Sequence, residues 1–145
     1  MQRDGKKIKD ITKGIKKVIE HRKDIAAVYL FGSYGTEYQN EHSDIDLGII
    51  FLPEAKINLG KELELDVDIS MALEADNVDV INLNRSPIQL RYQAIAEGKL
   101  IYEVDYIATS NFIEGTINFY LDYAHHLKEF YLERTKALKE AYGIG

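Results

Sequence analysis

The sequence predicts a small α/β (α+β) domain: a mixed sheet flanked by helices, ending in one long C-terminal helix. Three observations predict it. Short apolar runs of strand length recur between segments of helical period. Turn residues separate them, with no repeat and no low-complexity linker. The last 35 or so residues hold no proline and only Gly115 as a weak point. The 145 residues suit a single domain, with a core over about 10–105 and a helical segment over about 107–141.

Residues 6–23 read as an amphipathic helix, because Ile8, Ile11, Ile15, Val18 and Ile19 form one apolar stripe. IAAVYLF, residues 25–31, fits a buried strand that ends at Gly32. Ser33 suits the cap of a short helical turn through Tyr38. DIDLGIIFL, residues 44–52, is a second strand closed by Pro53. Residues 59–74 alternate like a strand, but their length and their Glu, Leu and Ala content favour a helix. VDVINL, residues 78–83, is a third strand. Pro87 suits a first helical position, and Gly98 a helix end. KLIYEV, residues 99–104, makes a last strand before the terminal helix.

Composition narrows the function. Hydrophobic content of 46% and charged content of 29% are those of a soluble globular chain. The lack of cysteine excludes disulfides and cysteine-ligated metals. No run is long enough to span a bilayer, and MQRDGKKIKD lacks a signal core, so a cytoplasmic protein with no membrane contact is expected. Residues 1–23 hold nine basic and three acidic residues, so that segment is +6; with a total of −6, the rest is −12. The basic segment reads as a solvated helix face, and the acidic remainder argues against direct nucleic-acid binding.

The chemistry concentrates in FGSYGTEYQNEHSDIDLGII, residues 31–50. On a strand, Asp44 and Asp46 project to the same side, roughly 6–7 Å apart. Two like charges that close favour a cation between them. An open all-oxygen set suits Mg²⁺, which completes its shell with waters and phosphates. Gly32 and Ser33 supply the matching phosphate site: glycine permits close approach, and the amides of the following turn bind anions. Asp79, between Val78 and Val80, faces opposite to both and is the candidate third carboxylate. Asp66 and Asp68 compete for that role but are solvated if residues 59–74 are helical.

Gly-Ser followed ten residues later by Asp-x-Asp resembles the nucleotidyltransferase signature of the DNA polymerase beta superfamily. VDVINLN and RYQAIAEGKLIYE resemble its minimal nucleotidyltransferase domains, in particular the MntA-type adenylyltransferase antitoxins encoded beside a HEPN ribonuclease toxin. The resemblance implies that Gly32 and Ser33 bind the ATP triphosphate. It implies that Asp44, Asp46 and Asp79 bind Mg²⁺ and are catalytic, and that AMP goes to a tyrosine of the HEPN partner. Family members often carry an arginine just after Gly-Ser-x; here the residues are Tyr34-Gly35-Thr36. Two alternatives stand beside this one: an aminoglycoside-type nucleotidyltransferase, and an antitoxin that acts by binding alone. The chain has no Arg-x₄₋₆-His ribonuclease motif.

Other residues read more plainly. His125 and His126 are adjacent, about 100° apart on a helix, and suit no shared metal. His42 reads as a solvated loop residue. Phe119, Tyr120, Tyr123, Phe130 and Tyr131 cover more than one helix face, which points to a partner interface.

Overall fold

The computed structural model describes residues 8–32 and 44–143. In order they form α1 (Ile8–Ile19), β1 (Ile25–Phe31), β2 (Ile45–Phe51), α2 (Leu59–Leu73), β3 (Val78–Asn82), a 3₁₀ turn (Leu83–Arg85), α3 (Ile88–Glu97), β4 (Lys99–Glu103) and α4 (Tyr106–Tyr142). The sheet order is β3-β2-β1-β4. β1 runs antiparallel to both β2 and β4, whereas β2 and β3 are parallel and joined by the α2 crossover. The predicted mixed sheet flanked by helices is the architecture found.

Strand alternation divides the apolar residues between two faces. Val28, Leu30, Leu47 and Ile49 pack with Ile11, Ile15 and Ile19 of α1 and Leu65, Ile69 and Leu73 of α2. Ala27, Tyr29 and Ile50 face the other way, against Leu83, Ala94 of α3 and Phe112 and Ile113 of α4. The central strands are therefore buried on both sides, which is why IAAVYLF reads as a continuous apolar run.

Several boundaries differ from the sequence reading. α1 ends at Ile19, not residue 23. Beyond it the chain turns so that Arg22 meets Asp24, Glu64 and Asp68 at 3.7, 3.1 and 3.4 Å. Pro87 is the N-cap of α3 and not its first helical residue. Its carbonyl accepts the Arg91 amide at 3.0 Å, while the Leu83–Arg85 turn occupies the expected lead-in. α3 ends at Gly98 as expected, but with φ −83°. Space dictates that glycine: a Cβ there would meet the Leu30 carbonyl at 3.0 Å and Phe31 Cβ at 3.1 Å. α4 is capped by Asp105, which accepts the Ala108 amide at 3.0 Å. It passes Gly115 without a break. Among the described residues no helix is long and apolar enough to cross a membrane.

α2 explains its own ambiguity. Leu65, Ile69 and Leu73 are buried, while Leu59, Leu63, Val67 and Met71 are exposed. Apolar residues on two faces of one helix create an apparent two-residue alternation. Leu65→Ala should therefore cost about 2–5 kcal/mol, since it empties a filled core site. Leu63→Ala should stay within about 0.5 kcal/mol. Urea unfolding of the two variants checks this contrast.

Candidate active site

Three strand ends build the site. β1 pairs with β2 so that Phe31 lies opposite Asp46, and β2 pairs with β3 so that Asp46 lies opposite Asp79. Adjacent strands are about 4.8 Å apart, so Asp46 and Asp79 are direct neighbours on one sheet face. That face is the one toward α3 and α4, because Ile50 and Ile81 share it. Asp44 stands just before β2.

Gly32 follows Phe31 and adopts φ +85°, a conformation that L side chains rarely take. A Cβ at Gly32 would collide with the Asp46 carboxylate. The backbone turn is thus pressed directly onto Asp46, and only glycine allows both.

Asp46 is half-buried, with Asp44 and Asp79 exposed on either side. Burial raises the Asp46 pKa above the ordinary carboxylate value, and the negative charges of Asp79 and then Asp44 add to the rise. The three carboxylates therefore act on one another through space. Such a group is stabilised by a cation. The donor set is all oxygen with an open front, which fits a hard divalent ion sharing its shell with waters and phosphate. Among the described residues no three such side chains are drawn in closely enough to hold a metal unaided.

Of the sequence-predicted residues, Gly32, Asp44, Asp46 and Asp79 come together at one end of the sheet. Ser33, His42 and the turn through Tyr38 lie outside the described residues. Asp66 and Asp68 are elsewhere, on α2: the Ser70 hydroxyl donates to Asp66 at 3.3 Å, and Asp68 pairs with Arg22. His125 pairs with Glu129 at 3.3 Å, and its ring centroid is 5.8 Å from that of His126. Gly98 is a contributor that the sequence reading used only as a helix stop. By admitting the end of α3 against Leu30 and Phe31, it holds β1 in place just before the Gly32 turn.

A cavity of about 700 Å³ lies at the other end of the sheet, among Arg22, Asp24, Leu52, Glu54, Glu64 and Asp68. Leu52 and Asp24 mark that end, where the Leu52 amide donates to the Asp24 carbonyl at 2.9 Å. Its acids surround Arg22, and it is separate from the Asp46 group.

Residues 13–107 match the family described as polymerase beta, nucleotidyltransferase. The chain belongs to the polymerase beta nucleotidyltransferase family. Among curated proteins it is similar to the protein adenylyltransferase MntA of Shewanella oneidensis, 32% identical over 75 residues. That match covers 52% of this chain and 52% of MntA, so the chain spans about half the length of the curated relative. Among solved structures it resembles a chain from a toxin–antitoxin complex with AMP-PNP: TM-score 0.65, 24% identity, covering 90% of this chain and 98% of the other. It also resembles a chain from the tri-AMPylated Shewanella oneidensis HEPN toxin in complex with MNT antitoxin: TM-score 0.63, 23% identity, covering 94% and 99%. These structural likenesses bear on the fold, which is that of the nucleotidyltransferases.

The raised Asp46 pKa has a sign. A carboxyl that holds its proton more tightly when folded costs stability at neutral pH. That cost falls away as pH drops through the raised value toward the unfolded one. Asp46→Asn should therefore raise the metal-free melting temperature at pH 7, with no gain in acid where Asp46 is protonated. Thermal melts of both proteins across pH 3–8 check the sign.

Proposed function

We propose that this nucleotidyltransferase is an antitoxin that transfers AMP from ATP to a tyrosine of a HEPN-domain toxin and so inactivates it. The observation that carries the reading is the alignment of Asp46 with Asp79 under the Gly32 turn. That arrangement sets a carboxylate group beside an anion-accepting backbone. The likeness to MntA and to chains from toxin–antitoxin complexes supports this choice of substrate class. The catalytic core is taken as about residues 10–105, with the helical segment of about 107–141 appended in one domain. ATP as the co-substrate suits a cytoplasmic protein.

The residues divide the work. Gly32 and Ser33 bind the triphosphate, the first by letting the backbone approach and the second through its hydroxyl. Asp44, Asp46 and Asp79 would hold Mg²⁺, which when bound would supply positive charge against the phosphate oxygens. The tyrosine oxygen forms the new bond to the α-phosphorus, and the bond to the pyrophosphate oxygen breaks. Asp79 is exposed and accepts the tyrosine proton. Asp46, half-buried between the other two, fixes the position of the group.

ATP labelled at the α-phosphate, with Mg²⁺ and the product of the neighbouring gene, tests this. Label should move onto the partner. Asp44→Asn and Asp46→Asn should each slow transfer about a thousand-fold, the equivalent of several kcal/mol of charge stabilisation. Unlabelled partner that is still neutralised would replace catalysis with inhibition by binding. The sequence Tyr34-Gly35-Thr36, with no arginine near the phosphates, is the one feature favouring that second reading. No label on protein and no neutralisation would leave a small-molecule acceptor.

A further inference from the structure

The sheet has two edges, and they differ. β4 is one edge, and its register with β1 shifts between Val28 and Tyr29, which leaves Ile101 as an extra residue. A bulge of that kind blunts an edge against further pairing. β3 is the other edge, and its register with β2 runs unbroken from Val78 to Asn82. The Val78 and Val80 side chains pack against the core beneath α1 and α2, so the strand is held from one face.

The ladder to β2 decides which groups of β3 stay open. The Ile45 amide donates to the Asn77 carbonyl at 2.8 Å. In a parallel ladder alternate residues carry the bonds, so Asn77, Asp79 and Ile81 turn their main-chain groups to β2. The amides and carbonyls of Val78 and Val80 turn outward. Neither residue has an outward hydrogen bond among the described residues. Between them stands Asp79, exposed, abreast of Asp46 on the same face of the sheet.

Two donors and two acceptors spaced along a regular edge are what an extended peptide recognises. We propose, on the basis of the tyrosine transfer described above, that the acceptor segment of the toxin binds as a fifth strand, antiparallel on β3 and bonded to Val78 and Val80. That pairing sets the intervening residue of the segment opposite Asp79, in the closer pairing without hydrogen bonds, about 4.5 Å between Cα atoms. Its side chain projects to the same face as Asp79. An aromatic side chain reaches diagonal neighbours about 7–8 Å away, so a tyrosine there can lean over Asp79 toward the phosphate site. The edge thus fixes the register of the acceptor, and the carboxylates meet its hydroxyl.

Amide hydrogen exchange read by NMR tests the edge directly. In the chain alone the Val80 amide should exchange at least about a hundred-fold faster than those of Asp79 and Ile81, which β2 protects. The toxin encoded by the neighbouring gene is then added with an ATP analogue that carries a methylene bridge between its α and β phosphates. Exchange at Val80 should slow at least about ten-fold. Val80→Pro removes the outward amide and no bond to β2, at an edge position where proline is tolerated. It should weaken toxin binding in calorimetry about ten-fold, with the circular dichroism unchanged. A Val80 amide that stays open in the complex would overturn the proposal, even where label still moves from ATP to the toxin. So would a Val80 amide already protected in a chain of about twice 16.6 kDa by light scattering, since the edge would then serve a second copy. Protection of Val80 by the toxin without any transfer of label would support the docking and remove the transfer, so the two readings fail separately.

Discussion

Three like charges held together at the end of one sheet are the constraint around which the fold is organised. A protein at neutral pH does not collect Asp44, Asp46 and Asp79 without cost, and Asp46 bears most of it because burial adds to repulsion. What compels the arrangement is the hydrophobic core beneath. Leu47 and Ile49 of β2 are wholly buried, and so are Val28 of β1 and Ile69 of α2. Slipping β2 by one residue would relieve Asp46 but would turn Leu47 and Ile49 out of the core that Val28 and Ile69 share with them. The apolar pattern therefore enforces an electrostatic arrangement that is unfavourable and that a nearby cation would relieve.

Much of this was legible in the residues, and the limits of legibility are physical. Asp44 and Asp46 announce themselves because their spacing is local and the strand period is fixed. β1 and β2 were readable because burial on both faces makes them uniformly apolar. Whether Asp79 lies beside Asp46 depends on the parallel register of β2 and β3, and no local signal encodes register. The alternation in α2 mimicked a strand because its two apolar faces answer to different demands, one to the core and one to the outside. α1 appeared too long because Arg22 belongs to a tertiary cluster with Glu64 and Asp68, more than forty residues away. The aromatic content of α4 was plain, but its division was not. Tyr120 and Tyr123 serve the packing on α3, whereas Phe119, Phe130 and Tyr131 stay exposed.

The glycines follow the same logic of space before flexibility. Gly32 needs both its left-handed backbone and its missing side chain, because the Asp46 carboxylate fills the place a Cβ would take. Gly98 needs only the space. Together they bring the end of α3, the end of β1 and the carboxylates close enough to form one front.

The α2 crossover has a consequence of its own. Its fifteen residues span about 22 Å as helix, and the seven residues of β2 span about 23 Å as strand. The helix thus returns the chain to the level at which β2 began, and β3 starts there with Asp79 abreast of Asp46. α2 acts as a ruler. Changes of length within α2 would displace one carboxylate along the sheet axis unless the loops 52–58 and 74–77 absorbed them. The length of α2 is thus matched to the length of β2, and that match keeps the two aspartates abreast.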